Sequence, residues 1–207
     1  DLHSFPTRRS SDLHIVTGEG ADEMLGGYPY YRVDALNDNP SLSAAERAAL
    51  LEQMLGANPA TRAFMMPTQV SNPEMQAVER TLGWLPATLN TSAAMINGMA
   101  PLFRDDLVLR IQGYRPLLSA LDRLPLAQRV TGRDRLNQVL YINSKTVLPN
   151  FILNYLADRM EMAHSIEGRV PFLDHHVAEA AARVPVNMKV KGTIWRSEER
   201  RVGKECR

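Results

Sequence analysis

Apolar residues recur at helical spacing along most of this chain. After a Ser43–Glu46 capping box, Ala48, Leu51, Met54 and Leu55 share one face of a helix that ends at Gly56. Asn72-Pro73 supplies a cap and a proline suited to a first turn, and Met75, Val78 and Leu82 follow as a stripe that stops at Gly83-Trp84-Leu85-Pro86. Leu117, Leu118, Leu121 and Leu124 mark another helix after Tyr114-Arg115-Pro116. Thr131 to Asp134 leads a long amphipathic helix with Leu136, Val139, Leu140, Ile142 and Val147. Pro149 breaks and restarts it, and Phe151, Ile152, Tyr155 and Leu156 form the next stripe, which ends at Asp158-Arg159. Val177 to Val184 is a short alanine-rich helix stopped by Pro185. Three stretches are less regular. Thr61 to Met66 is short and apolar; Ala87 to Met99 reads as loosely helical, its methionines as gap-filling core; Pro101 to Asp106 turns into Leu107–Ile111. Only Ile15, Val16 and Thr17 read as the end of a buried strand, and no strong alternation of period two follows. The pattern predicts a mostly α fragment of an α/β domain, with one strand near the start and the rest of the sheet upstream.

The strand leads into the chemistry. His14 to Tyr28 reads H-I-V-T-G-E-G-A-D-E-M-L-G-G-Y. Gly18 and Gly20 punctuate a tight turn, and Glu19, Asp22 and Glu23 crowd around it. A helix is predicted from about Ala21, running past Gly26 and Gly27 into Tyr28, Tyr30 and Tyr31. Open α/β sheets bind ligands beyond the carboxyl ends of their strands, which is where this loop falls. One acid at a helix start need do no more than cap free N–H groups. Three acids packed around two glycines point to a cation or a proton-transfer site.

A second dense stretch, Leu156 to Asp174, reads L-A-D-R-M-E-M-A-H-S-I-E-G-R-V-P-F-L-D. Asp158, Arg159, Glu161, Glu167, Arg169 and Asp174 alternate with apolar residues, and Gly168 and Pro171 fix a bend. Charges among core residues must be paired. Two readings stand here: an ion-pair network that pins the bend, or an anion site in which the Arg159 guanidinium meets phosphate oxygens through parallel hydrogen bonds. His164 reads as a structural side chain, and His175-His176, without metal-like spacing, as surface or capping.

The two ends stand apart. The C-terminal R-S-E-E-R-R-V-G-K-E-C-R has a coding sequence whose opposite strand, one base out of frame, encodes L-H-S-F-P-T-R-R-S-S-D-L, the residues Leu2 to Leu13. Ends that are antisense copies of one another are expected to be adapter-derived scars, not native sequence. On this reading residues 1–13 and 196–207 are scars, and 14–195 is an internal fragment of a domain. The formal charge of +1 then falls to −1, because the C-terminal stretch carries +2 and the N-terminal one none. No basic surplus points to nucleic acid. The single cysteine, Cys206, lies in the C-terminal stretch, so thiol and disulfide chemistry are set aside. No apolar run has membrane-spanning length, and a cytoplasmic, reducing location is the default expectation.

Together the two stretches resemble the synthetase (ATP-pyrophosphatase) domain of glutamine-hydrolysing asparagine synthetases. T-G-E-G-A-D-E-M-L-G-G-Y, Thr17 to Tyr28, is similar to that family's S-G-E-G-x-D-E-x-F-G-G-Y, and I-E-G-R-V-P-F-L-D, Ile166 to Asp174, to its V-E-x-R-V-P-F-L-D. The resemblance implies the C-terminal helical half of an adenine-nucleotide α-hydrolase-like fold. It implies an enzyme that makes β-aspartyl-AMP from aspartate and Mg-ATP, releases pyrophosphate, and passes ammonia from an N-terminal glutaminase domain to the intermediate. Thr17 and Gly18 would line the nucleotide site, Glu19 would act as base or electrostatic stabiliser, Asp22 would help hold Mg²⁺, and Arg159 would lie near the α-phosphate and pyrophosphate. The family's S-G-G-x-D-S pyrophosphate loop and its glutamine-hydrolysing cysteine are absent from this chain, so the fragment by itself is expected to be inactive. The alternatives are a related amidotransferase or β-lactam synthetase-like enzyme on the same domain, and a non-catalytic helical interaction module.

Overall fold

The computed structural model describes residues 14–57, 70–111 and 113–190. Both terminal stretches and the Thr61–Met66 segment lie outside the described residues. In chain order the elements are β1 (His14–Val16), α1 (Ala21–Leu25), α2 (Pro29–Asn37), α3 (Ala44–Ala57), α4 (Pro73–Leu82), α5 (Ala87–Met99), α6 (Asp105–Ile111), α7 (Pro116–Asp122), α8 (Leu126–Arg129), α9 (Arg135–Lys145), a π-helix (Leu148–Asp158), α10 (Arg159–Ala163), β2 (Glu167–Arg169), α11 (His175–Arg183) and α12 (Val186–Lys189). The chain is mostly helical, with one small pair of parallel strands.

The helix starts follow local chemistry. The Asn72 side chain accepts from the Met75 N–H at 2.9 Å, with Pro73 in the first turn of α4. The Ser43–Glu46 box forms reciprocally: Glu46 Oε2 accepts from the Ser43 N–H at 2.8 Å, and Ser43 Oγ accepts from the Glu46 N–H at 3.2 Å. Two clusters make the core. Met75, Val78, Leu89, Ala93, Leu121 and Ile142 join α4, α5, α7 and α9. Tyr31, Trp84, Leu136, Val139 and Leu140 join α2 to α9. A polar bridge spans them, since Asn143 Nδ2 donates to the Tyr31 hydroxyl at 2.7 Å and reaches Thr88 Oγ1 at 3.3 Å.

The structure corrects the sequence reading at several places. The helix expected through Gly26 and Gly27 is two helices. Gly26 caps α1 at φ 72°, returning its N–H to the Asp22 carbonyl, and Pro29 opens α2 where no N–H is needed. A second strand, β2, pairs with β1 in parallel, His14 opposite Glu167 and Val16 opposite Arg169. The strand expected to be buried is exposed, Val16 at 74 %, because two strands of three residues each leave the sheet uncovered. Met95 and Met99 face outward rather than filling core; α5 buries Thr88, Leu89, Thr91 and Ala93 instead. Phe151, Tyr155 and Leu156 also stand exposed. Met54 of α3 is buried as expected, and the side chain of Leu55 lies outside the described residues.

One buried acid ties α2 to α5. Asp34 is 2 % exposed; its Oδ1 accepts from the Ala87 N–H at 2.9 Å, and its Oδ2 has no hydrogen-bond partner among the described residues. Burial pushes its carboxyl up to about 8, against the opposing pull of the Ala87 N–H and Arg135. A folded value above the unfolded one of about 4 means that the folded state binds the proton more tightly, so this stabilisation is full below about pH 4 and lost as pH rises toward 8. Asp34→Asn keeps the acceptor for Ala87 and removes the charge. The urea midpoint of the wild type is expected to fall between pH 5 and pH 8 relative to that of Asp34→Asn, and parallel profiles would contradict the assignment.

Candidate functional site at the junction of two motif segments

The loop after β1 and the segment around β2 form one body. The Thr17 N–H donates to the Arg169 carbonyl at 2.9 Å, extending the strand pairing by one residue. Gly20 sits at φ 90°, and a Cβ there would collide with the Leu173 side chain. Backbone and side chain therefore interlock where T-G-E-G meets V-P-F-L-D. The 3₁₀ turn at Pro171–Leu173 and α11 both pack on α1. On the far side of β2, Glu161 Oε2 accepts from the Gly168 N–H at 2.9 Å, and a Cβ on Gly168 would strike that carboxylate.

Around this junction the predicted residues separate by role. Thr17 Oγ1 and Glu19 Oε2 are buried and have no hydrogen-bond partner among the described residues. A buried polar oxygen left unpaired costs about 1–3 kcal/mol, and these two stand on either side of Gly18 with free acceptor capacity. Gly18 faces open space, with nothing within 4 Å of where a Cβ would stand. Asp22 is half-buried and folds its carboxylate over Gly27, whose missing side chain makes the room. Glu23 leaves the acidic group: it is 2 % exposed and accepts from the Tyr28 hydroxyl at 2.8 Å. Burial, then the bond to Glu23, raise the Tyr28 phenol above its ordinary value. Glu23 and Tyr28 thus anchor the turn between α1 and α2.

Arg159 opens α10, the helix that packs on β2. It is exposed, and its guanidinium lies over the Tyr155 ring, 5.9 Å from the centroid. Among the described residues no ion pair joins it to Glu19 or Asp22. In this stretch Arg169 pairs with Glu167 at 3.0 Å, and His14 Nε2 lies 3.0 Å from Glu167 and His175 Nδ1 4.0 Å from Asp174, all exposed. Asp174 caps α11 through the His176 N–H at 2.9 Å, and His175 and His176 are exposed, as expected of surface or capping residues. His164 Nδ1 lies 2.7 Å from the Met160 carbonyl. Sequence reasoning missed the work of Glu161 on Gly168, for which no local spacing gives a signal. It also missed Tyr155 beneath Arg159, for which the four-residue spacing was the available signal.

Among the described residues no group of three or more histidines, cysteines or acids could hold a metal ion. A dedicated protein cage is not what Mg²⁺ requires. It takes one or two carboxylates and completes its shell with substrate phosphates and water. Asp22 can contribute one such carboxylate.

Comparison with known proteins gives the family. The asparagine synthase family model matches residues 9–206, a span that reaches into both terminal stretches. The chain belongs to the asparagine synthase family, a family of ATP-dependent ligases. It is 28 % identical to an amidase of Gibberella zeae over 89 % of this chain and 28 % of that protein. It is 31 % identical to a glutamine-hydrolysing asparagine synthetase of Bacillus subtilis over 85 % of this chain and 25 % of that protein. It is 28 % identical to a putative glutamine-hydrolysing asparagine synthetase of Mycobacterium bovis over 90 % of this chain and 26 % of that protein. The chain spans about a quarter of the length of these relatives. No solved structure is significantly similar to it. Among the described residues no helix is long and apolar enough to cross a membrane.

Proposed function

We propose that this segment is the C-terminal, helical half of an ATP-pyrophosphatase-type synthetase domain, and that the protein carrying it adenylates aspartate with ATP and transfers ammonia to the acyl group. The observation that carries this reading is the interlock of the two motif segments at Gly20 and Leu173, with the unpartnered Thr17 Oγ1 and Glu19 Oε2 beside it. Thr17 and Gly18 would receive the nucleotide through the hydroxyl and open backbone. Glu19 would accept an N–H from ammonia and take up the proton released as nitrogen bonds to the acyl carbon. Arg159 would oppose negative charge developing on the leaving phosphate oxygens. Mg²⁺ carried by the phosphates would neutralise part of the same charge, with Asp22 as its protein ligand. Ammonia would come from a glutaminase domain elsewhere in the longer protein, and the pyrophosphate loop from the upstream half of the synthetase domain.

The similarity to a protein named an amidase supports a second acceptor reading, in which a carboxylate other than aspartate is amidated by the same chemistry. ATP–pyrophosphate exchange tests the adenylation common to both. The 207-residue chain is expected to exchange no more than a protein-free control, because it lacks S-G-G-x-D-S. The full-length protein is expected to exchange in the presence of its carboxylate and Mg²⁺, and to lose that exchange on Arg159→Ala. Exchange by the 207-residue chain, or full exchange by the variant, would contradict these assignments.

A further inference from the structure

Arg159 is held in an unusual way. Among the described residues no hydrogen bond or ion pair engages its guanidinium N–H groups. Its guanidinium lies over the face of Tyr155. Tyr155 in turn stacks on Phe151, with centroids 6.0 Å apart and planes 10° from parallel. These residues are spaced by four, so they stand as neighbours along one side of the helix. Both rings are exposed, Tyr155 at 56 %, so core packing does not account for the stack. The helix beneath them is π throughout Leu148–Asp158 and turns α at Arg159. π geometry is rare, mostly confined to single turns and frequent at functional sites.

We infer that the Phe151–Tyr155 stack is a positioning device for Arg159, holding the guanidinium plane while leaving its N–H edge free for phosphate oxygens. The inference rests on the proposed phosphate role of Arg159. The chemistry separates this arrangement from an ion pair. A carboxylate partner would occupy the donors that a phosphate needs, whereas a ring takes the guanidinium by its face. The donors stay in plane and available for bidentate contact. Because the side chain is already restrained, less rotamer freedom is lost when the anion arrives.

The test uses the full-length protein and ¹⁵N NMR of the Arg159 guanidinium, in wild type, Tyr155→Phe, Tyr155→Ala and Tyr155→Leu, with backbone amide shifts as the check on folding. Rotation about the Nε–Cζ bond is expected to match between wild type and Tyr155→Phe, which keeps the ring. It is expected to be faster in both ring-less variants. Titration with pyrophosphate is expected to move the Arg159 signal, with affinity about two- to fivefold weaker in Tyr155→Ala and Tyr155→Leu, the scale of an exposed cation–π contact. Rotation and affinity unchanged by loss of the ring, or Tyr155→Phe behaving like Tyr155→Ala, would overturn the positioning role and leave the phosphate role standing. A wild-type Arg159 signal indifferent to pyrophosphate would overturn the phosphate role, and this inference with it.

Discussion

Glu19→Gln in the full-length protein is expected to lower amide synthesis by about 10²–10⁴-fold, the range typical of a lost general base. The substitution is nearly isosteric. It removes the negative charge and the proton-accepting capacity of the Oε2 position, which is buried and unpartnered at the mouth of the site. Among the described residues that oxygen has no hydrogen-bond partner, so the thermal midpoint of the 207-residue chain is expected to stay level or rise with Gln in place. The pair of readouts separates chemistry from folding. A rate within twofold of wild type would remove Glu19 from the reaction. Equal losses of rate and stability would make it a structural acid.

Gly20→Ala is expected to destabilise the chain strongly. Gly20 occupies φ 90°, outside the range comfortable for a residue with a Cβ, and the added carbon would strike Leu173. Left-handed strain of about 1–2 kcal/mol and overpacking of about 1–3 kcal/mol together give an expected loss of about 2–5 kcal/mol in urea unfolding. Leu173→Ala clears the collision but leaves the strain. The double variant is therefore expected to lose less than the sum of the two single ones, with a coupling of about 0.5–3 kcal/mol. Strict additivity would mean that the two motif segments do not bear on each other at Gly20.

What the sequence made legible was local. The Ser43 and Asn72 caps and the stripes of α4, α7 and α9 follow from spacing within a turn or two, and the structure reproduces them. The break at Gly26 was legible too, in a glycine followed closely by Pro29, but the expectation ran past it. β2 was not legible. Glu167-Gly168-Arg169 is too short to alternate, and it becomes a strand only by pairing with β1 at the other end of the segment. Periodicity gave Phe151, Tyr155 and Leu156 a common face but could not say whether anything covers it. At the junction, the tight turn was legible in its closely spaced glycines, of which Gly20 takes the left-handed conformation. The withdrawal of Glu23 to Tyr28 depends on which way a five-residue helix is rotated, and composition cannot supply that.

The most direct test of an adenylation site at this junction is the fate of carboxylate oxygen. The full-length protein, supplied with Mg-ATP, ammonia and aspartate labelled with ¹⁸O in its side-chain carboxylate, would be followed by mass spectrometry of the nucleotide product. If the carboxylate attacks the α-phosphorus, one of its oxygens becomes the acyl–phosphate bridge and departs with the nucleotide when ammonia displaces it. One ¹⁸O per AMP, formed together with pyrophosphate, is the expected result; unlabelled AMP, or ADP with inorganic phosphate, would contradict it.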